Sequence, residues 1–450
     1  MIPTELGIEN VGKLLKQYAM PAIVAMVAAS LYNMVDSIFI GQGVGPMAIA
    51  GLAVTFPLMN LSTAFGTLVG VGAATLISML LGQKNYYMAN RVLGNVVMLN
   101  VAIGVVVTIL GLVFLDPILY FFGASEVTIS YAREYMVIIL AGNIITHLYH
   151  GLNGVVRASG QPRKAMAATL LAVGLNTVLD PIFIFGFRMG IQGAAIATLL
   201  AQVVSLVWIT RILSDKEYVL HFSREIFHFD IKIARRSLSI GMAPFLMNVA
   251  SCFVVILINR QLQTHGGDMA IGAYGIINRI VFLFVMLILG FTQGMQPIAG
   301  YNYGAKQYDR VKLVLKMTII CATISTTIGF LIGELIPGTL VSLFTRDETL
   351  RAMAAHALRI DVALFPVVGF QIVVSNFFQC IGYVNKAIFL SLSRQLIFLI
   401  PFLIIFPGFW GTDGVWWSMP ASDLIASVIA FLMISRLMKT FGQEERAILE

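Results

Sequence analysis

Residues 19–43 read "AMPAIVAMVAASLYNMVDSIFIGQG". The stretch is apolar almost throughout and carries a single acidic or basic side chain, Asp36. At 1.5 Å rise per residue, about 20 apolar residues cross the hydrocarbon core of a bilayer as a helix. A carboxylate near the middle of such a helix costs about 2.5–3.5 kcal/mol even on the insertion scale. It is tolerated where it faces the interior of a helix bundle or water. The stretch therefore demands further spans around it.

The rest of the chain supplies them. Of its 450 residues 58% are hydrophobic and only 11% charged, against roughly 25% charged in a soluble protein. Apolar runs fall near 17–40, 46–70, 92–115, 130–152, 165–187, 191–212, 238–262, 270–296, 314–336, 352–378, 387–407 and 414–436. The fold class read from them is all-α integral membrane, with twelve transmembrane helices. Most of the 29 lysines and arginines lie in loops that alternate to one side of a twelve-span chain. The positive-inside rule places that side, with both termini, in the cytoplasm, and the chain in the plasma (inner) membrane. In this setting the net charge of +7 implies no nucleic acid. "MIPTELGIEN" at the start has no basic n-region and reads as no cleaved signal peptide. Cys252, Cys321 and Cys380 stand singly in apolar segments and read as buried thiols.

The two halves repeat. At an offset of 222, Gly72 falls on Gly294, Gly82 on Gly304, Lys84 on Lys306, Gly160 on Gly382 and Lys164 on Lys386. "PMAIAG" (46–51) matches "DMAIGA" (268–273), and further on Gly190 and Gly193 meet Gly411 and Gly414 at an offset of 221. Six spans per half is an even number, so both halves enter the membrane in the same direction. Two six-helix lobes related by a pseudo-two-fold axis along the membrane normal follow, a transporter plan. The expected lobes are 1–213 and 237–450, bridged by a polar cytoplasmic linker, 214–236.

Intramembrane polar residues mark candidate sites. The N-terminal half has Asp36 in span 1 and Asp180 in span 5. Asn176 lies four residues before Asp180 on the same helix face, and Asn153 and Thr198 lie in spans 4 and 6. No cation in this half sits at comparable depth. Two such carboxylates cannot both stay ionised cheaply, so the pair is expected to take up a proton or a cation such as Na⁺. For Asp180 alone, helix-end capping before Pro181 explains the residue equally well. In the C-terminal half Arg279 (span 8), Asp361 (span 10) and Asp423 (span 12) form a candidate polar cluster in which Arg279 neutralises one acid. Pro21 removes a backbone bond inside span 1 and is expected to kink it; the kink is either static or a moving part. His147 and His150 are three apart but lack a third ligand in sequence, so no metal site is expected. The glycines of "GQGVG" (41–45) and "GTLVGVG" (66–72) fit close helix packing better than a phosphate loop.

Three segments carry a resemblance. "RASGQPRKAM" (157–166), "QPIAGYNYGAKQYDRVK" (296–312) and "GLNTVLDPIFIFGFRMGIQGAAIAT" (174–198) resemble the multidrug and toxic compound extrusion (MATE) transporters, in the DinF-type branch that includes MepA-like proteins. The resemblance covers essentially the whole chain. It implies export of organic cations and drugs driven by inward H⁺ or Na⁺, with no other cofactor. It also implies an ion-responsive network at Asp36, Asn153, Asn176, Asp180 and Thr198, and a helix that bends at Pro21. The NorM-type branch uses acids on spans 7 and 10; here span 7 has none, while span 10 keeps Asp361.

The resulting expectation is a cation-coupled antiporter of small amphipathic or cationic substrates, working as a monomer in lipid by alternating access. The alternative is a lipid-linked precursor flippase of the same superfamily, which needs Arg260, Arg279 and Arg394 to converge. An integral membrane enzyme is disfavoured, because the spans hold no HExxH or GxSxG motif.

Overall fold

In hydrocarbon every backbone N–H and C=O must be satisfied within the chain, and apolar runs of this length do so as helices. The computed structural model, which describes residues 3–449, contains no strand among them. The spans are α1 (Val11–Gly43), α2 (Pro46–Gly82), α3 (Tyr86–Val113), α4 (Ile129–Ala141 with Asn143–Ala158), α5 (Pro162–Pro181) and α6 (Gly190–Ser214). A continuous helical stretch, Ile231–Gly304, follows and is broken at Gly267, where φ is 66°. It comprises α7 (231–266) and α8 (268–304). The chain then forms α9 (Tyr308–Leu335), α10 (Glu348–Val362 with Phe365–Cys380), α11 (Val384–Trp410) and α12 (Thr412–Leu449). Nine described helices are long and apolar enough to span a membrane, and two bent pairs can act as one span each. Division of the longest helix at Gly267 brings the spans to twelve.

Local chemistry sets the boundaries. Pro46 and Pro162 stand in the first turns of α2 and α5, where a missing N–H costs nothing. Asn85 caps α3 by accepting from the Met88 N–H at 3.2 Å, and Asp347 caps α10 by accepting from the Leu350 N–H at 2.7 Å. α1 runs as one helix with Pro21 inside it.

The repeat read from the sequence recurs in the backbone. Left-handed φ values occur at Gly45 (117°) and Gly267 (66°), at Lys84 (58°) and Lys306 (59°), and at Gly160 (94°) and Gly382 (78°). All three pairs are 222 residues apart. Gly190 (61°) and Gly411 (58°) keep the offset of 221. The mid-span breaks also correspond: the two parts of α4 meet at 57° and those of α10 at 54°.

Packing divides the chain into two units. Among the described residues one comprises 3–8 and 24–245, the other 9–23 and 246–449. This differs from the sequence division at two places. The first turns of α1 belong with the second unit, because Ala19 and Ile23 lie backbone to backbone against Gly294 and Gly290 of α8. The first turns of α7 belong with the first unit, because Ser237 and Gly241 lie equally close to Gly72 and Leu68 of α2. A Cβ at Gly72 or Gly294 would overlap that backbone, so small residues are required there.

Segment 214–236 also packs on the first unit. Asn90 of α3 donates to Val219 O at 2.6 Å and accepts from the His221 N–H at 3.0 Å. Asn95 accepts from the Asp230 N–H at 3.0 Å, and Arg91 pairs with Asp230 at 3.5 Å. Ile226 is buried over Gly94. The expected linker is thus a strap pinned to α3. Each unit has its own apolar core, around Ile40, Leu58 and Met136 in the first and around Ile258, Phe365 and Trp416 in the second.

Candidate functional site

Four helices of the first unit converge on one buried polar cluster. α1 brings Tyr32 and Asp36, which are one turn apart on one helix face. α5 brings Asn176 and Asp180 with the same spacing, and the Asn176 amide donates from Nδ2 to Asp180 Oδ1 at 2.8 Å. Beyond Asp180 the chain enters a π-helical turn, Ile182–Gly186, so the aspartate sits where regular α-helix ends. α6 brings Thr198, and the first part of α4 brings Tyr135.

Asp36 is 7% exposed and Asp180 fully buried. Their carboxyl groups lie close enough to interact. Two carboxylates this close repel unless one carries a proton or a cation is held by both, since an ionised carboxylate only accepts. Asp36 Oδ1 and Asp180 Oδ2 have no donor among the described residues, and no lysine, arginine or histidine there forms an ion pair with either acid. The Thr198 hydroxyl donates to Ala194 O at 3.0 Å. It is thereby left to accept from the Tyr32 hydroxyl, 3.5 Å away, with the Tyr135 hydroxyl near enough to interact with it. The result is a cluster of oxygen donors with two unsatisfied carboxylate oxygens, suited chemically to a proton or a hard monovalent cation.

Of the expected residues, Asp36, Asn176, Asp180 and Thr198 come together. Asn153 does not join them. Its Nδ2 donates to Ala165 O at 3.1 Å and to Thr169 Oγ1 at 3.4 Å, and its Oδ1 accepts from Arg157 at 3.3 Å. Ala165 is fifteen residues before Asp180 on α5, about 22 Å along a helix. Tyr32 and Tyr135 were not anticipated. A tyrosine hydroxyl in an apolar span needs a partner, and that need was the available signal.

The C-terminal half is paired differently from expectation. Arg279 is exposed, and among the described residues it has no carboxylate partner. The base that meets Asp423 is Arg394 of α11, whose Nε donates to Asp423 Oδ1 at 2.5 Å. Asp361 lies close enough to interact with both charges, and Tyr274 of α8 lies beside Asp361. Helical spacing says nothing about which span meets which, so the choice between two arginines was open in the sequence. His147 is buried against α2, with Nε2 2.9 Å from Ser62 O. That oxygen can only accept, so Nε2 carries the proton. Among the described residues no group of three His, Cys, Asp or Glu is placed to hold a metal.

Comparison with known proteins fits this architecture. The MatE family model matches residues 21–182 and 240–405. The multidrug export protein MepA of Staphylococcus aureus (strain N315) is 28% identical over 431 residues, covering 94% of this chain and 93% of that protein. The MATE multidrug transporter DinF-BH, in a ligand complex, superposes with a TM-score of 0.89 at 34% identity, covering 96% of both chains. An outward-facing multidrug resistance MATE family transporter of the MOP superfamily superposes with a TM-score of 0.92 at 26% identity, covering 98% of this chain and 99% of that one. With twelve spans, the internal repeat and a family match over most of its length, the chain belongs to the MatE family of multi-pass membrane transporters.

Proposed function

We propose that this protein is a cation-coupled antiporter that exports organic cations, drugs and other xenobiotics by alternating access, with H⁺ or Na⁺ as the coupling ion. The observation that carries this reading is the buried Asp36–Asp180 pair, which has two unsatisfied oxygens and no basic partner among the described residues. Such a pair binds a cation when one is available and is costly to leave fully ionised. An ion that binds it more tightly in one conformation than in another shifts the balance between them. Inward movement of one H⁺ down the membrane potential supplies about 2.3 kcal/mol per 100 mV. The named multidrug activities of MepA and DinF-BH support the substrate class. The distribution of basic residues supports cytoplasmic termini in the plasma (inner) membrane, where the protein works as a monomer among lipids.

The flippase alternative has no observation in its favour. It needs free converging bases, and Arg394 is committed to Asp423.

Reconstituted vesicles test the proposal. With pH and Na⁺ gradients imposed separately, one of them should drive uptake or release of a cationic dye, and Asp36→Asn should abolish the response while the protein still inserts. Undiminished gradient-driven transport in that variant would sink the assignment.

A further inference from the structure

The C-terminal half holds a second pair of acids that the proposed coupling does not use. Asp361 comes from α10 and Asp423 from α12; Arg394 of α11 is hydrogen-bonded to Asp423 and near enough to Asp361 to interact with it. Tyr274 of α8 also lies beside Asp361. α7 contributes the neutral Ser251. Its hydroxyl lies 3.1 Å from Gln395 Oε1 and 2.9 Å from Gln395 Nε2, within hydrogen-bonding reach of both atoms. Arg394 and Gln395 both lie in a π-helical turn, Ser393–Leu399. Such turns shift side chains out of α-helical register and recur at functional sites. The Ser251–Gln395 contact holds the turn, and the turn delivers the guanidinium to Asp423.

Charge counting distinguishes the two acid pairs. Asp36 and Asp180 have no base among the described residues, so one mobile cation completes them. Asp423 already holds a cation that is covalently part of the chain, and Asp361 lies within its field. A guanidinium stays protonated at any pH the protein meets, so this cation is not exchanged with the medium. We infer that Arg394 is a tethered counter-ion, occupying the place that a free H⁺ or Na⁺ would take in the C-terminal half. Each transport cycle is then driven through the N-terminal pair alone. The inference rests on the coupling role proposed for Asp36 and Asp180.

The test counts cations. Purified protein in weakly buffered detergent is titrated across neutral pH, with and without Na⁺, and proton uptake and Na⁺ binding are measured per chain. Arg394→Gln should bind one more cation than the wild type. Arg394→Gln combined with Asp423→Asn should return to the wild-type number, because one acid leaves with the base. Asp361→Asn, which spares the Arg394–Asp423 pair, should leave the gain caused by Arg394→Gln intact. No gain in Arg394→Gln, with either Asp or Asn at position 361, would overturn the counter-ion role. If Arg394→Gln alone does not fold, the double variant with Asp423→Asn decides, and a number other than the wild type's would overturn the role. Asp36→Asn separates the two ideas. If it does not lower the wild-type number, the coupling role of Asp36 fails and single-pair drive fails with it. If it does lower the number while Arg394→Gln gains nothing, only the counter-ion role fails.

Discussion

The two halves of this protein share a backbone and differ in their charges. At an offset of 222 residues Asp36 and Asp180 correspond to Ile258 and Phe402, while Asp361 and Arg394 correspond to Ile139 and Ala172. At the later offset of 221, Asp423 corresponds to Gln202. Not one of these five charges is repeated, yet eight of the ten left-handed backbone positions among the described residues recur in register. Packing explains the contrast. A glycine at a close approach or a left-handed turn is held by its neighbours' geometry, which a repeat reproduces as a whole. A buried charge is held by particular partners on other helices, and each half has found its own.

Mutations can break this contrast, and the largest effect is expected at the N-terminal pair. Asp180→Asn should abolish cation-driven dye transport, as in Asp36→Asn, because either change removes half of the acid pair. Transport at wild-type rate in Asp180→Asn vesicles would mean that the pair does not act as a unit. Next comes Asp423→Ala, which leaves Arg394 without its acid. Breaking a buried ion pair on one side costs about 3–5 kcal/mol. With the Arg394 side chain 30% exposed, the loss should fall at the lower end of that range, measured as a drop in thermal stability in detergent. The corresponding N-half change, Gln202→Ala, removes only the acceptor of a neutral bond from Thr146 and should cost about 0.5–1.5 kcal/mol.

The shared scaffold should respond alike in both halves. Gly72→Ala and Gly294→Ala each push a methyl into facing backbone and should each destabilise by about 1–3 kcal/mol. Unequal losses would show that the repeat is not equally tight in both units. The smallest effect is expected at Lys84 and Lys306, which hold left-handed φ values without being glycine. Lys84→Gly and Lys306→Gly should each gain less than about 1 kcal/mol, because relief of the strain is offset by the greater unfolded-state freedom of glycine. On the exposed surface, Arg133 holds the Asp116 carboxyl below the usual carboxylate range through a two-pronged hydrogen bond. Ion pairs of that kind add little to stability.

Much of the site was legible before the structure. Asn176 and Asp180 are four apart on one helix, so their contact follows from spacing alone. Asp36 was conspicuous because a lone acid in an apolar run is expensive. Tyr135 gave only the weaker signal of a hydroxyl that needs a partner, and Thr198, which lies beside it, comes from another helix. Asn153 looked like its neighbours in composition but packs beside Ala165, about four helical turns from Asp180 along α5, a separation that only the order of helix contacts reveals.

The sequence by itself determined the number of spans and the repeat. Those properties depend on hydropathy along the chain and on local sterics, and both are written residue by residue. Only the tertiary structure decided which acids meet, that Arg394 rather than Arg279 neutralises Asp423, and that segments 9–23 and 237–245 pack away from the halves in which they are encoded. Those outcomes depend on which helix faces touch across tens of ångströms, and in a bundle that is settled by the packing of all the helices together.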